Sequence, residues 1–493
     1  MQGELREAGM SAVGAFIDGR RVGSRDDRTT VSVNPSTGEG LWPVPVGHRD
    51  DADDAVHAAR RAFDTGPWRL DSDLRVECLL RLADFIEARS ADVAMLDTLE
   101  IGIPLEVTSA DAVAVAGIIR EIVAMLPEVG ADLVAPTVRL PRGVVAVIAP
   151  WNFPFFVAVT KVVPALAVGN TVVLKPTELA SASAVLLAAM ADAAGFPAGV
   201  LNVVPGEGAI VGDALVRHPM VDQVNLTGSL ATGRRVLAAS AESTLVPVVT
   251  ELGGKSAQVV GEHAPDLDAV ADGIAASIFW CAGQVCTAGA RLIVAEQHHD
   301  ALVAKLLDRV EQWTGTDPMQ PGAQAGPLGS EAHRTNVHAM VQAAVAEGAT
   351  LRCGGAPGSG PGFFYPPTIL TGVGPHHRVF QDEVFGPVLS VTTCTSVEHG
   401  IELANDTVYG LVATGWSTDP DEASRLASGL RAAWVTVNPH LAPPHDPRVG
   451  AESLGSSGSG VEGGLPGLRA ATRLAVVVVG GASIATNTQE DHP

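Results

Sequence analysis

Apolar residues follow two patterns along the chain, a helical period and short continuous runs. Together these patterns predict an α/β protein. Between residues 76 and 126 apolar residues recur every three or four positions, as at Leu79, Leu82 and Ile86, which is the period of amphipathic helices. After residue 142, short apolar runs bounded by Gly and Pro alternate with helical stretches. The predicted strands are residues 144–148, 171–174, 201–204, 223–226 and 246–250, and the helical stretches include 180–194 and 209–217. Short buried strands joined by helical crossovers indicate a parallel sheet covered on both faces.

A second α/β stretch runs from Asp266 to about Val437. Two such stretches predict two domains with a cleft between them, where ligands usually bind. A β-ribbon at residues 133–140 and a last strand at 473–479 are too short to form a domain. Because bare edge strands favour pairing, these two segments either join a neighbouring subunit or close a local sheet.

Composition narrows the functional class. The length of 493 residues predicts two or three domains, and 46% apolar with 18% charged residues is typical of a globular chain. A net charge of −23 argues against a nucleic-acid partner. The first twelve residues lack the apolar segment of a secretory signal, and the longest apolar runs are too short to span a bilayer. Five cysteines form no disulfide framework, so we expect a reducing, cytoplasmic setting without a membrane partner.

Cys286 is the first candidate for chemistry. It lies in a Gly-flanked turn, Gly283-Gln284-Val285-Cys286-Thr287-Ala288-Gly289, between an amphipathic stretch at 270–279 and a strand-like run at 292–295. A free thiol at such a junction is a candidate nucleophile, although a free cysteine is more often a small buried apolar residue. Cys281 lies five residues earlier, but with no second cysteine pair and no histidine nearby in sequence we expect no metal site.

Glu251 is the candidate general base. It follows the predicted strand 246–250 and precedes Gly253 and Gly254, which places a carboxylate beside a tight turn. Apolar surroundings would raise the pKa of such a carboxylate towards neutrality, as a base requires, while an exposed or capping glutamate is the ordinary alternative. The following Gly254-Lys255-Ser256 resembles the end of a phosphate loop. That motif needs glycine where this chain has Val249, so we reject it.

Asn152 is the candidate oxyanion donor. The segment Pro150-Trp151-Asn152-Phe153-Pro154 directly follows the predicted strand 144–148, and its two prolines favour a fixed turn. The Asn152 amide is then available as a hydrogen-bond donor, either to a developing oxyanion or within the turn itself.

Two segments carry weaker signals for a nucleotide. Lys175 and Glu178 follow a predicted strand, where ribose-binding side chains lie in doubly wound sheets. Residues 226–233 follow another strand and open a helix, whose N–H groups suit a pyrophosphate. A plain helix capped by Ser229 is the alternative.

Together and in this order, the segments resemble the aldehyde dehydrogenase superfamily. Further matches are Asn34-Pro35-Ser36-Thr37-Gly38, Lys161 with Pro164-Ala165-Leu166-Ala167-Val168-Gly169-Asn170, Glu383-Val384-Phe385-Gly386-Pro387, and Asn405 with Tyr409-Gly410-Leu411. The resemblance extends from about residue 34 to about residue 472. One such motif is weak evidence, but the ordered set is specific, and it outweighs the ordinary alternative for each residue.

The resemblance implies a catalytic role for five residues. Cys286 would be the nucleophile, Glu251 would activate the water that releases the acid, and Asn152 would form an oxyanion hole with the Cys286 N–H. Lys161 and Glu462 match positions that support proton relay or cofactor placement. Relatives that pass the acyl group to coenzyme A generally lack a glutamate at position 251, so the resemblance favours release by water.

The resemblance also implies NAD as the cofactor. Lys175 and Glu178 would hold the adenine ribose, and a carboxylate there would repel the 2′-phosphate of NADP, which makes NADP the less favoured cofactor. The remaining implied cofactor positions are Gly228 and Ser229 at the pyrophosphate, Glu383 and Phe385 at the nicotinamide half, Gly208 and Gly212 on the adenine side, and Ile148, Pro150, Trp151, Thr227, Gly233 and Leu252.

The family fold gives each stretch an expected place. It implies a Rossmann-like parallel-sheet cofactor domain (residues 12–126 and 142–252), an α/β catalytic domain (253–456) and a small β oligomerisation ribbon (127–141 and 470–481), followed by a tail (482–493). The expected partners are an aldehyde substrate and further copies of the chain, as a homodimer or homotetramer.

Three departures from the family pattern leave the substrate open. Cys281 stands where the family usually has Asn. Residues 443–455 replace an aromatic-Gly-Gly-x-Lys segment, with Val461 where Arg usually precedes Glu462, and Ala471-Thr472 stands where the family usually has Tyr-Thr. Expected wall residues of the substrate tunnel are Phe155, Phe156, Trp280 and Trp434. The alternatives are an NAD-binding relative with weak or no turnover, and an enzyme that transfers the acyl group to coenzyme A.

Overall fold

The computed structural model describes residues 14–23, 25, 28–438 and 448–478. Within these residues, two large β-sheets of eight and seven strands carry most of the fold, and four two-stranded sheets complete it. Separate clusters of buried apolar residues lie on the two faces of each large sheet. This is the layered α/β architecture that the two patterns predict.

The first sheet is doubly wound. Its strand order is β2-β1-β8-β7-β6-β9-β10-β21, and the five strands from β8 to β10 are parallel. The chain runs from β6 outward to β8, then returns to the other side of β6 with β9, so the order reverses between β6 and β9. The strands are β1 (Ala15–Ile17), β2 (Arg20–Val22), β6 (Val144–Ile148), β7 (Thr171–Lys175), β8 (Leu201–Val203), β9 (Gln223–Thr227), β10 (Val248–Glu251) and β21 (Gly458–Ser459).

The five predicted strands of this sheet are all present, with small shifts at their ends. All five residues of β6 are buried, as are all five of β7, which explains their continuous apolar runs. The strand predicted at 246–250 begins two residues later and ends on Glu251, so this carboxylate belongs to the strand itself.

Helices cover both faces of the first sheet. They are α1 (Arg49–Thr65), α2 (Ser72–Ala88), α3 (Ser90–Ile101), α4 (Leu105–Met125), α5 (Pro154–Ala167), α6 (Ala182–Ala193), α7 (Asp213–Val216) and α8 (Leu230–Glu242), with a later helix α15 (Gly464–Ala470) against α4 and α5. The helical prediction for 209–217 needs one correction: a π-helical turn, Gly208–Gly212, precedes the four-residue α7.

The second sheet has the strand order β13-β14-β15-β12-β11-β17-β18 and is parallel except for β13. Its strands are β11 (Ala257–Val260), β12 (Arg291–Ala295), β13 (Thr350–Cys353), β14 (Thr368–Thr371), β15 (Val388–Cys394), β17 (Val412–Trp416) and β18 (Trp434–Val437). Its helices are α9 (Leu267–Phe279), α10 (Glu296–Arg309), α11 (Glu331–Ala346), α12 (Arg378–Gln381), α13 (Val397–Asn405) and α14 (Pro420–Gly429). Single 3₁₀ turns lie at Leu126–Glu128, Trp280–Gly283 and Val310–Trp313.

The predicted ribbon and last strand pair with each other. The antiparallel pair consists of β5 (Thr137–Pro141) and β23 (Thr472–Val476). The ribbon prediction of 133–140 therefore began four residues too early. The other small sheets are β3 (Thr29–Val33) with β4 (Gly40–Pro45), β16 (Tyr409–Gly410) with β20 (Leu454–Gly455), and β19 (Ala451–Glu452) with β22 (Val461–Glu462).

No helix among the described residues is long and apolar enough to cross a membrane. Several predicted features lie outside the described residues: the unusual segment 443–447, the start of the first domain at 12–13, the end of the last strand at 479, the ribbon positions 479–481 and the tail 482–493.

Candidate active site

The carboxyl ends of the parallel strands bring several predicted residues to one edge of the first sheet. Ile148, Lys175, Thr227 and Glu251 are the last residues of β6, β7, β9 and β10. In open α/β sheets, ligands bind in the crevice at this edge, where the strand order reverses. The fold therefore favours a ligand site near the carboxyl ends of β6 and β9.

Glu251 lies in a largely buried environment. Burial, together with the nearby charge of Glu462, raises the pKa of its carboxyl to about 7. Two interactions act in the opposite direction: the Ser453 hydroxyl donates a hydrogen bond to Oε2 (2.7 Å), and the charge of Lys161 favours the carboxylate. A carboxyl group with a pKa near neutrality is suited to accept a proton at physiological pH.

Lys161 and Glu462 form an ion pair behind Glu251. The Lys161 side chain on α5 is 2% exposed, and its Nζ donates a hydrogen bond to Oε1 of Glu462 on β22. These two predicted residues are thus in direct contact, and both act on the charge state of Glu251.

Cys286 follows an irregular turn after α9. Cys281 and Ala282 both have positive φ angles, 50° and 56°, which ends the helical path and turns the chain towards the first sheet. Burial, together with the charges of Glu383 and Glu251, raises the pKa of the Cys286 thiol to about 11. Hydrogen bonds from the backbone N–H groups of Cys286 and Thr287 act in the opposite direction.

Asn152 is buried beside this turn. Its Nδ2 donates a hydrogen bond to the carbonyl of Gln284, two residues before Cys286 (3.0 Å). The buried Gln284 side chain in turn accepts from Gly329 N (2.8 Å), so the loop that carries the thiol is anchored on two sides. The predicted nucleophile and the predicted oxyanion donor therefore lie on adjacent segments.

The predicted ribose residues form a buried cluster. Lys175 Nζ donates hydrogen bonds to the carbonyls of Pro176 (2.6 Å) and Gly206 (2.8 Å) and lies 3.4 Å from Oε2 of the half-exposed Glu178. Burial lowers the pKa of Lys175. Gly212 packs beside the Lys175 side chain and Ile148. The backbone carbonyls thus orient the ammonium group, and the carboxylate of Glu178 faces solvent.

The predicted pyrophosphate segment lies at the start of α8. Ser229 caps this helix, because its side chain accepts a hydrogen bond from Thr232 N (3.2 Å). Gly228 N donates to the Glu251 carbonyl (3.0 Å), which ties the helix start to the catalytic strand. Gly233 packs directly against Leu252, so four predicted residues meet here.

The predicted nicotinamide residues lie on the second-sheet side. Phe385 packs edge-on against Trp151, with ring centroids 5.4 Å apart. The His333 ring packs edge-on against both of them. Glu383 Oε1 accepts a hydrogen bond from Gly254 N (3.0 Å), and burial raises the pKa of its carboxyl to about 7. Pro150 precedes Trp151 on the same turn.

Cys281 belongs to a small apolar cluster next to the thiol loop. It is buried with Ile101 and Ile103, and Phe153 stacks on Trp280 at 5.9 Å in the same cluster. Among the other expected tunnel residues, the prediction for Phe155 is wrong, because this side chain packs into the core formed by the helices of the first sheet. Phe156 is half-buried against that core, and Trp434 is largely exposed on β18.

Sequence reasoning did not single out several residues that shape this site. They are Gln284 beside Asn152, Ser453 on Glu251, Lys255 beneath the turn that follows Glu251, Asp111 near Cys281, and Ser457, whose hydroxyl donates to the Gly253 carbonyl (2.8 Å). For Lys255 a signal existed, because it lies inside the segment Gly254-Lys255-Ser256. Ser453 and Asp111 reach the site only through the tertiary fold.

Comparison with known proteins agrees with this geometry. The chain is 42% identical to the aminoacetaldehyde dehydrogenase of Pseudomonas aeruginosa over 86% of this chain and 87% of that protein. It is 37% identical to the betaine aldehyde dehydrogenase of Bacillus subtilis, over 86% and 89% of the two chains. The crystal structure of an NAD-dependent aldehyde dehydrogenase from Sinorhizobium meliloti superposes with a TM-score of 0.90 at 35% identity, covering 97% of this chain and 96% of that chain.

A further solved structure, the betaine aldehyde dehydrogenase of Staphylococcus aureus in complex with NAD+, has a TM-score of 0.92 at 31% identity and covers 99% of both chains. The expected α/β fold is therefore confirmed. The model of the aldehyde dehydrogenase family matches residues 22–477. The chain belongs to the aldehyde dehydrogenase family.

Proposed function

We propose that this oxidoreductase converts an aldehyde to a carboxylic acid with NAD as the hydride acceptor, through covalent intermediates on Cys286. The observation that supports this most directly is the pairing of the Cys286 thiol with Glu251, a buried carboxyl whose pKa is raised to about 7. A nucleophile and a general base in one site suit a two-step acyl chemistry.

The first step needs a thiolate. Burial disfavours the ionised form of Cys286, so the N–H groups of Cys286 and Thr287 are the local interactions that favour it. The thiolate attacks the carbonyl carbon and forms a thiohemiacetal whose oxygen carries the negative charge. Asn152 lies close enough to the thiol loop to turn its amide towards this oxygen. A donor of this kind contributes roughly 2.7–4 kcal/mol to the barrier.

The second step releases the acid. NAD, when bound, accepts the hydride that leaves the thiohemiacetal carbon, and Cys286 then carries a thioester. Glu251 takes a proton from water as the water attacks the thioester, and the acid departs with regeneration of the thiolate. The Lys161–Glu462 pair lies next to Glu251 and offers a path for that proton towards solvent. Because Glu251 is present, water release is favoured over transfer to coenzyme A.

The residues at the sheet edge fit NAD. Lys175 presents a buried, carbonyl-oriented ammonium beside Glu178, and α8 presents its first N–H groups next to Gly228. A similar fold binds NAD+ in the betaine aldehyde dehydrogenase of Staphylococcus aureus. The half-exposed Glu178 carboxylate would repel a 2′-phosphate, so kcat/KM should be higher with NAD than with NADP. Equal values with both cofactors would contradict this preference.

We infer further that the favoured substrates are aldehydes with a cationic group. Two of the relatives are named for aminoacetaldehyde and betaine aldehyde, both of which carry a positive charge. In this chain, Asp111 on α4 raises the pKa of the Cys281 thiol through its charge, so this carboxylate lies near the thiol loop. Burial raises the pKa of Asp111 to about 6, which leaves it ionised at neutral pH. Stacked Phe153 and Trp280 add aromatic faces that attract cations.

Betaine aldehyde and 3,3-dimethylbutanal test this inference, because they differ only in a charged nitrogen against a neutral carbon. Asp111→Asn should raise KM for betaine aldehyde by about tenfold, the effect of one lost charge interaction of about 1.4 kcal/mol. KM for 3,3-dimethylbutanal should stay unchanged. An equal rise for both aldehydes would show that Asp111 acts on folding or access rather than on charge.

The proposed activity itself is tested by NADH absorbance with a panel of aldehydes, for wild type beside Cys286→Ala. Wild type should reduce NAD without coenzyme A, and Cys286→Ala should still bind NAD but reduce none. Turnover that requires coenzyme A would support acyl transfer instead. NAD binding without turnover of any aldehyde would support a binding role.

We also propose that the first sheet belongs to the cofactor domain and the second sheet to the catalytic domain. The last parallel strand of the first sheet ends at Glu251 and the second sheet begins at Ala257, which agrees with a boundary at residues 252 and 253 between cofactor and catalytic domains. The isolated β5–β23 ribbon supports an oligomer of two or four copies. All five cysteines are free, in keeping with a reducing cytoplasmic compartment.

A further inference from the structure

The turn Gly253-Gly254-Lys255 lies between the Glu383 carboxylate and the loop that carries Cys286. On one side, Glu383 Oε1 accepts from Gly254 N (3.0 Å), and a Cβ on Gly253 would collide with the same carboxylate. On the other side, a Cβ on Gly254 would lie 2.7 Å from the carbonyl of Cys286. Only glycines allow the Glu383 carboxylate and the thiol loop to approach this turn from both sides.

Lys255 continues the turn into the protein interior. Its side chain is fully buried, and among the described residues its Nζ has no hydrogen-bond partner; the same is true of Ser256 Oγ. Both side chains line a cavity that Arg291 and Tyr409 also border. A buried ammonium without a hydrogen-bonded partner is costly, so the nearest opposite charge matters for its protonation.

Three charged groups face Lys255. Arg291 on β12 is committed to backbone carbonyls, those of Lys255 (2.8 Å), Leu403 (3.1 Å) and Ala404 (2.7 Å), and its charge opposes a second buried cation. Asp382 and Glu383 favour the charged lysine. Burial, followed by Arg291, lowers the pKa of Lys255 to about 7, and Glu383 has its pKa raised to about the same value.

We propose that Lys255 is a positioning residue that keeps the Glu383 carboxylate ionised in its place against Gly254, and thereby sets the negative charge that faces Cys286 before cofactor and substrate bind. The inference rests on the proposed role of Cys286 as the nucleophile. Glu383 is, after burial, the largest cause of the raised thiol pKa, and Glu251 follows it. An ionised Glu383 therefore suppresses the thiolate, and a neutral Glu383 favours it.

Lys255→Met should increase the reactivity of Cys286 although it removes a positive charge. The reason is that Glu383 then takes up a proton more readily. The measurement is the rate of Cys286 alkylation by iodoacetamide, without NAD or aldehyde, followed by mass spectrometry of the Cys286 peptide. At pH 7 the rate should rise about threefold or more, equivalent to about half a unit of thiol pKa. Above about pH 9 the two rates should converge, because Glu383 is ionised in both proteins.

Companion variants keep the test independent of folding. Glu383→Gln should raise the rate at every pH from 6 to 10, and adding Lys255→Met to it should change nothing further. Lys255→Arg keeps its charge at every pH and should slow alkylation between about pH 7 and 8, where Lys255 loses its proton. Lys305→Met, on α10 and paired with Asp268, is the control and should leave the profile unchanged.

Several outcomes would overturn the proposal. A Lys255→Met profile equal to or slower than wild type, beside a faster Glu383→Gln, would separate the two residues. An equal effect of Lys255→Met in the Glu383→Gln background would show that the lysine acts by another route. Failure of the proposed dehydrogenase activity would appear as absent NADH and would leave these alkylation rates untouched, so the two failures are distinguishable.

Discussion

At the scale of single residues, the acidity of Glu251, the proposed general base, should decide the pH range in which the acid is released. The base must be ionised, and burial raises its pKa to about 7, so kcat should fall as the pH drops below that value. The Ser453 hydroxyl lowers this pKa through its 2.7 Å hydrogen bond to Oε2. The pH dependence of turnover therefore depends on a contact between residues 202 positions apart in the chain.

Ser453→Ala tests that contact. Loss of a hydrogen bond of about 1 kcal/mol should raise the Glu251 pKa by about 0.7 unit, which moves the acid limb of the kcat profile to higher pH. Turnover should fall several-fold at pH 6.5 and match wild type at pH 9, provided that acid release limits the rate. Ser428→Ala, on the exposed surface of α14, is the matched control and should leave the limb in place. An unmoved acid limb in Ser453→Ala would mean that another group controls it.

Glu251→Gln separates the two chemical steps. The amide cannot accept the proton from water, so NADH should form once per active site and then stop, with the thioester retained on Cys286. Stopped-flow absorbance measures the burst, and intact-mass spectrometry measures the acylated protein. Steady turnover at the wild-type rate would contradict the role of Glu251 as the base.

Motif reasoning could reach Cys286, Glu251 and Asn152 because each lies in a short segment whose order along the chain is specific. The contacts around these residues could not be predicted from motifs. Gln284 is near Cys286 in sequence, but its carbonyl meets Asn152 across 132 positions, and Asp111 approaches the thiol loop from a different helix. Such contacts depend on how helices pack on the sheet, which no local pattern records.

At the scale of elements, the buried strands were the most predictable part of the fold. Strand β6 and the centre of β7 (residues 172–174) are apolar because helices cover both faces, so their positions follow from composition. The ribbon β5 is only half-buried along its whole length, which weakens its alternation and explains the misplaced start. The π-helical turn at Gly208–Gly212 keeps a helical period, and sequence alone therefore merged it with α7.

The start of α8, the proposed pyrophosphate site, packs against the residue that follows β10, and Gly233 tests the effect of this contact. An added Cβ there would lie 2.6 Å from Leu252 Cδ1, next to Glu251. Gly233→Ala should push the helix away from β10, lower the free energy of unfolding by about 1–3 kcal/mol, and weaken NAD binding. Calorimetry measures both quantities.

Gly117→Ala is the matched control for that change. Gly117 lies within α4 with nothing within 4 Å of the added Cβ, so the substitution should stabilise the protein by up to about 1 kcal/mol through helix propensity. NAD binding should stay as in wild type. Equal destabilisation by both substitutions would show that the contact with Leu252 has no special effect.

At the scale of the whole molecule, the β5–β23 ribbon is the feature that one chain leaves incomplete. A two-stranded sheet is marginal in stability alone, and this one exposes apolar side chains: Leu474 is 58% exposed and Val476 70%. The ribbon is anchored to its own chain by Arg142, whose Nε donates to the Ala470 carbonyl (3.1 Å). An exposed, apolar edge favours an interface with another copy over a free surface.

The substitution pair Leu474→Lys and Val476→Lys should therefore break the assembly into smaller species. Two buried ammonium groups would have to lose their hydration at the interface, which outweighs the area that the ribbon contributes. Sedimentation velocity should show a dimer or tetramer for wild type and a shift towards monomer for the double variant. The control pair Leu70→Lys and Val345→Lys changes residues that are 79% and 40% exposed elsewhere, and it should keep the wild-type species. If the ribbon variant sediments like wild type, the ribbon only closes a local sheet and is not the proposed subunit interface.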